Sequence, residues 1–173
     1  MAKNNKKVAD YTITNEILGQ GSFGKVKKAF KVCRDGSQEY FACKIVEKKN
    51  LSEQLLQRLK DEVDILKELT ETNNKHIVKL CDVMRSSNNV YLFFEFANAT
   101  DLENLKNARK RFSEQEAWLI LRQLIPAFQQ LYERQIIHRD LKLANVLIHF
   151  PEIPVEIPEE YHDDISARLE YMK

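Results

Sequence analysis

The stretch Gly19-Gln20-Gly21-Ser22-Phe23-Gly24-Lys25-Val26, continuing as Lys27-Lys28-Ala29-Phe30-Lys31-Val32, decides the fold. Glycines spaced in this way let main-chain amides approach phosphate oxygens without side-chain interference. The glycines by themselves are equally compatible with a plain turn. The next element along the chain chooses between the functional versions. In a dinucleotide-binding unit the loop opens a helix. Here the residues after Gly24 alternate and include β-branched side chains, which predicts a strand and therefore a strand–loop–strand hairpin.

Working outward, Tyr11–Leu18 is the strand before the loop, Lys25–Cys33 the strand after it, and Glu39–Glu47 a third. Arg34-Asp35-Gly36-Ser37 makes the hairpin turn between the second and third. Asn50 can cap a following helix, with Glu53 completing a capping box. Along that helix Leu51, Leu55, Leu59, Val63, Leu66 and Leu69 form one apolar face. Two more strands, Leu80–Met84 and Val90–Phe96, flank the polar turn Ser86-Ser87-Asn88-Asn89. From Asp101 the pattern is helical. A short basic helix runs to Arg111, and a longer one, boxed by Ser113 and Glu116, runs to about Gln135 across Pro126, where a kink is expected. An apolar run, Val146–Ile148, comes next. The resulting organisation is a flexible tail at 1–10, a sheet-rich lobe at 11–97, a helical segment at 98–150, and a proline- and acid-rich stretch at 151–173 that reads as a loop with a weak terminal helix.

The bulk numbers narrow the function classes. The 173 residues carry 27 Lys+Arg against 26 Asp+Glu, a balance that gives no reason to expect a nucleic-acid or membrane surface. The N-terminal residues are polar and basic, unlike a secretory leader, and no apolar run has the length of a membrane span. Cys33, Cys43 and Cys81 are odd in number and show no paired spacing, which points to free thiols in a reducing, intracellular compartment.

Three further positions carry chemistry. Lys44 stands alone in the apolar strand Phe41-Ala42-Cys43-Lys44-Ile45-Val46. It reads either as a snorkelling edge lysine or as a cation for phosphates, and the second use needs a carboxylate partner. Glu62 is the candidate, with Asp64 and Glu68 as rivals on the same helix. The octet His138-Arg139-Asp140-Leu141-Lys142-Leu143-Ala144-Asn145 places a carboxylate and a magnesium-competent amide oxygen on one short loop.

Taken in order, these motifs resemble a eukaryotic-type serine/threonine protein kinase over roughly residues 11–150. The resemblance implies an α+β fold: a five-stranded antiparallel N-lobe sheet with one helix, then the first helices and catalytic loop of a helical C-lobe. It implies ATP and Mg2+ as ligands and a protein as substrate. By the same resemblance, Gly19, Gly21, Ser22, Phe23 and Gly24 cover phosphates, Leu18, Val26 and Ala42 roof the adenine, and Leu147 is its floor. Phe94 is the gatekeeper, Glu95 and Ala97 offer main-chain groups to the base, and Asp101 reaches the ribose. Lys44 positions phosphates and Glu62 holds it. Asp140 is the base, Lys142 marks the serine/threonine pattern, and Asn145 binds the metal. Arg139 beside Asp140 is similar to kinases whose activation loop is held by phosphorylation. The hinge and catalytic loop are similar to those of calcium/calmodulin-dependent and autophagy-initiating kinases. The whole rests on one expectation, that glycine turn, Lys44 and the Asp140/Asn145 pair face a shared cleft.

Departures from the family pattern are informative. Gln135 stands where glycine is usual, which predicts a non-glycine residue in a left-handed conformation. Asn98-Ala99-Thr100 replaces glycines after the hinge. His76 and His149 read as structural or surface residues, and the cluster Lys106, Arg109, Lys110, Arg111 as a solvated helix face. No Asp-Phe-Gly occurs in the sequence. The expectation drawn from this is an insertion beginning at Pro151, with the chain ending inside it, and an uncovered apolar row at Trp118, Leu121, Leu124 and Phe128. The alternative function is a catalytically inactive, kinase-like module that binds nucleotide or a partner. Substrate, regulator and oligomeric state are not written in these residues.

Overall fold

The computed structural model describes residues 5–21 and 24–150. The chain divides into two compact units, residues 1–96 and 97–173.

The first unit is a six-stranded antiparallel sheet with one helix. Its strands are β1 (Lys6–Val8), β2 (Tyr11–Gly21), β3 (Gly24–Val32), β4 (Gln38–Glu47), β5 (Leu80–Arg85) and β6 (Asn89–Glu95), in the order β1-β2-β3-β4-β6-β5. The five expected strands are all present. The sixth is a correction: Lys6–Val8, assigned to a tail from the sequence, pairs with Tyr11–Ile13. A three-residue edge strand containing two lysines has no apolar alternation to reveal it.

Helix α1 (Glu53–Glu71) lies between β4 and β5 in the chain. Its N-cap is Ser52, whose Oγ accepts from Leu55 N–H at 3.3 Å, and not Asn50 as the sequence suggests. Lys48–Asn50 instead forms a 3-10 turn after β4, which displaces the helix start, and the Asn50 amide donates to Glu47.

Strand alternation divides the core in two. Tyr91 and Phe93 join Tyr11, Ile13, Ala29, Phe41 and Cys43 in one cluster, with Tyr11 stacked on Phe93 at 3.7 Å between ring centroids. Val90 and Leu92 join Val46, Leu80 and the α1 residues Leu59 and Val63 in the other. Burial pushes the Cys43 thiol up to about 12, so it is an inert apolar side chain at neutral pH. At the β3–β4 turn, Gly36 takes φ 85° and Asp35 Oδ1 accepts from both the N–H and the hydroxyl of Ser37.

The second unit contains α2 (Leu102–Arg109) and α3 (Glu114–Glu133). Asp101 caps α2, and Ser113 with Glu116 forms the expected capping box on α3, which continues through Pro126 as one helix. Residues 98–102 and 146–150 pair side by side, with Asp101 opposite Leu147. Trp118, Leu121 and Phe128 are exposed, as expected, while Leu124 is half-buried. No helix among the described residues is long and apolar enough to cross a membrane. The loop and weak helix expected over 151–173 lie outside the described residues.

Candidate functional site

Register puts Lys44 on the α1 side of the sheet. It stands two residues before Val46, which packs on Leu59 and Val63, so strand alternation points both side chains the same way. Burial of Leu59 and Val63 fixes the rotation of α1 and leaves Glu62 at the margin of the apolar face. There Lys44 Nζ donates to Glu62 Oε1 at 2.8 Å. Of the three carboxylates open from sequence, Glu62 is the one in contact with Lys44. Val46, Leu51, Leu55, Arg58 and Leu59 close a cavity of about 40 Å³ behind the pair.

The glycine loop joins β2 to β3, with Gly21 opposite Gly24. Gly24 has φ 151°, and a Cβ there would lie 1.9 Å from the Ile45 carbonyl oxygen. Its glycine is therefore required by the sheet itself. Gly19 differs: a Cβ added there would meet nothing within 4 Å among the described residues. Ser22 and Phe23 lie outside the described residues.

The other candidates of this unit sit around the same strands. Val26 pairs with Lys44, and Ala42 with Phe94. Leu18 is exposed. Phe94 is half-buried against the α1 cluster. Glu95 is doubly tied to Lys79. Its N–H donates to the Lys79 carbonyl at 3.1 Å, and its Oε1 accepts from Lys79 N–H at 2.9 Å, so its main-chain N–H is already engaged.

In the second unit, the end of α3 delivers the chain to the loop at 138–145. Gln135 has φ 57°, the left-handed conformation expected where it replaces glycine. Ile136 N–H donates to Leu131 O at 2.8 Å and Gln135 N–H to Tyr132 O at 3.0 Å, the paired bonds of a Schellman ending. Arg139 is likewise left-handed at φ 63°. After it, Asp140 Oδ2 meets Lys142 Nζ at 3.1 Å and Asn145 Nδ2 at 3.0 Å, and the same amide nitrogen donates to the Asp140 carbonyl at 2.7 Å. The 3-10 turn Leu143–Asn145 makes this return possible. The hydrogen bond from Lys142, then that from Asn145, holds the Asp140 carboxyl below its ordinary value.

Asp101 uses both carboxylate oxygens on Asn104, at 2.8 Å to N–H and 2.6 Å to the amide. Leu147 is 47% exposed. Ala97 is half-buried beside Asn98, the one buried polar or charged residue among the described residues, which the sequence marks only as a missing glycine. The Asn98 side chain grips Phe150 at both N–H and carbonyl, at 2.9 and 2.8 Å. His149 Nδ1 accepts from Asn98 N–H at 3.4 Å. The basic cluster is partly neutralised, with Arg109 on Glu116 at 2.6 Å, beside an open cavity of about 430 Å³ also lined by Arg111 and Phe112. No group of three His, Cys, Asp or Glu able to hold a metal exists among the described residues.

Comparison with known proteins matches this arrangement to one family. Residues 12–157 match the family described as "Protein kinase domain". Human "Serine/threonine-protein kinase ULK3" is 37% identical over 145 residues, covering 84% of this chain and 30% of that protein. Human "NUAK family SNF1-like kinase 2" is 34% identical over 134 residues, covering 77% of this chain and 20% of that protein. The "Carbon catabolite-derepressing protein kinase" of Candida glabrata is 36% identical over 143 residues, covering 82% and 22%. The chain thus spans 20% to 30% of the length of these relatives. With the glycine hairpin, the Lys44–Glu62 contact and the Asp140/Asn145 loop in the family's order, the chain belongs to the protein kinase family.

Proposed function

We propose that this chain carries the nucleotide site and catalytic loop of an intracellular serine/threonine protein kinase, which passes the γ-phosphoryl group of ATP to a protein hydroxyl. The observation that carries the reading is the 2.8 Å contact between Lys44 and Glu62. A lysine placed only for solubility has no need of a carboxylate from a separate helix. One held to position phosphates does. Gly19 adds support, because nothing among the described residues requires a glycine there, whereas close approach of phosphate to the main chain does.

The residues fit the ligands the family implies. With its amide nitrogen engaged by Asp140, Asn145 is left with an amide oxygen, a hard donor suited to Mg2+. The absence of a three-ligand cluster among the described residues is no obstacle, since Mg2+ keeps water and phosphate oxygens in its shell. Bound ATP with Mg2+ supplies an electrophilic γ-phosphorus and offsets the charge on its oxygens. Lys44 then orients phosphate oxygens and Glu62 fixes Lys44. In the first unit Leu18, Val26 and Ala42 serve the base, with Phe94 and Glu95 at its edge; in the second, Ala97, Asp101 and Leu147 are the residues the family pattern assigns to base edge, ribose and base. Asp140, kept ionised by its two donors, accepts a hydrogen bond from the substrate hydroxyl, orients its oxygen toward phosphorus, and receives the proton as the new O–P bond forms and the bond from the γ-phosphorus to the departing ADP oxygen breaks. Lys142 beside it balances its charge.

A second reading is nucleotide binding without transfer. Calorimetry with ADP, with and without Mg2+, tests the shared part. Lys44→Ala is expected to weaken binding at least about tenfold, and equal affinity of the two proteins counts against the phosphate site. Transfer to a serine-containing protein that is abolished by Asp140→Asn selects the kinase. Binding without transfer selects the second reading.

A further inference from the structure

Residues 98–102 and 146–150 form a short antiparallel ladder. Leu102 N–H donates to Val146 O at 2.9 Å and Ile148 N–H to Thr100 O at 2.7 Å, with Asp101 and Leu147 opposite each other. Two positions beyond Thr100 and Ile148 in the same register, Asn98 faces Phe150. There the rung is made by a side chain: Asn98 Oδ1 accepts from Phe150 N–H, and Asn98 Nδ2 donates to Phe150 O. A primary amide carries one acceptor and donors in the geometry of a peptide group, so it can stand in for main chain. The Asn98 residue is 5% exposed, and its two side-chain bonds hold the end of the ladder away from competing water.

We propose that Asn98 is a positioning residue for adenine recognition, acting through this rung on Leu147. Short pairings fray from their ends. Closing the Phe150 end keeps Ile148 on Thr100, and so keeps Leu147 at a fixed height with its exposed surface available to the base. Glycine at position 98 could supply neither bond. The inference rests on the nucleotide-site reading above and adds to it a residue that touches no nucleotide.

The test uses the full chain, with adenosine and Mg2+-tripolyphosphate as separate probes and amide hydrogen exchange as a third measurement. Asn98→Asp keeps the acceptor for Phe150 N–H but sets a carboxylate oxygen against the Phe150 carbonyl. The expected result at neutral pH is adenosine binding weakened about tenfold, unchanged tripolyphosphate binding, and faster exchange at Ile148 and Phe150. Acidification protonates the introduced carboxyl, restores a donor, and should recover adenosine affinity. Wild-type protein in the same pH series controls for His149. Asn98→Gly, the milder change, should show the loss without the acid recovery. Unchanged adenosine affinity in both variants overturns the proposal. So does equal loss of both probes with faster exchange throughout α2 and α3, which would mark Asn98 as a general core residue. If wild-type protein binds neither probe, the nucleotide site itself is refuted, and slow exchange at Phe150 lost in Asn98→Gly would then support only the rung.

Discussion

Replacing Gln135 with glycine should stabilise the protein, and the geometry sets the size of the gain. Gln135 is the residue after the α3 cap, left-handed at φ 57°, and its side chain is exposed. A left-handed residue with a Cβ costs about 1–2 kcal/mol. Glycine removes that cost but loses about 0.5–1 kcal/mol through its freer unfolded chain. Because the glutamine side chain is exposed, no burial term enters, and the net gain lies between about 0 and 1.5 kcal/mol, centred on about 0.5–1 kcal/mol. The Schellman bonds from Ile136 to Leu131 and from Gln135 to Tyr132 are main-chain bonds and survive the change. Urea unfolding followed by helical circular dichroism measures it. With a slope near 1 kcal/mol per molar, the midpoint rises by about 0.5–1 M. Gln135→Ala, which keeps the left-handed penalty, should stay within about 0.5 kcal/mol of wild type, and Gln135→Val should be the least stable of the set. If the glycine and alanine variants have the same midpoint, the strain argument is wrong.

Gly24→Ala should destabilise the first unit by more than about 2 kcal/mol in thermal unfolding, while Gly19→Ala leaves stability within about 0.5 kcal/mol and weakens ADP binding. Similar stability losses in both variants would refute the separation drawn between them. Glu62→Gln should cost at most about 1 kcal/mol of stability because the contact is partly solvated, yet reduce nucleotide affinity. A double-mutant cycle with Lys44→Ala reads their coupling. Asp140 has a lowered folded pKa, so its contribution is present above the ordinary value of 3.8 and is lost as pH falls through the depressed one. Carboxyl NMR titration should show that pKa rising toward 3.8 in Lys142→Met, and rising again when Asn145→Ala is added. No movement in either variant would remove the proposed cause.

Local pattern carried most of the fold. The β3–β4 hairpin was legible because strand alternation and the Asp35-Gly36 turn agree, and the α3 start because Ser113 and Glu116 sit at capping-box spacing. The helix before Leu80 was legible in its apolar face but not in its first residue. Asn50 and Ser52 are both good caps, and only the intervening 3-10 turn decides between them. For the site, Glu62 could be narrowed from sequence but not separated from Asp64 and Glu68 until the burial of Leu59 and Val63 fixed the helix rotation. Asn98 was illegible in a stronger sense. Its partner lies 52 residues away, and no local period encodes a side chain completing a main-chain ladder.

The small strand β1 has a practical consequence for recombinant expression. It covers the first three residues of β2 with Lys6-Lys7-Val8, and the Lys6 ammonium lies 5.1 Å from the centre of the Tyr91 ring. A polypeptide begun at Tyr11, where the recognisable motif pattern starts, would leave those hydrogen-bonding groups bare and bring an affinity tag directly against the sheet. Open strand borders of that kind recruit other chains. Starting upstream of Lys6 keeps the charged guard in place.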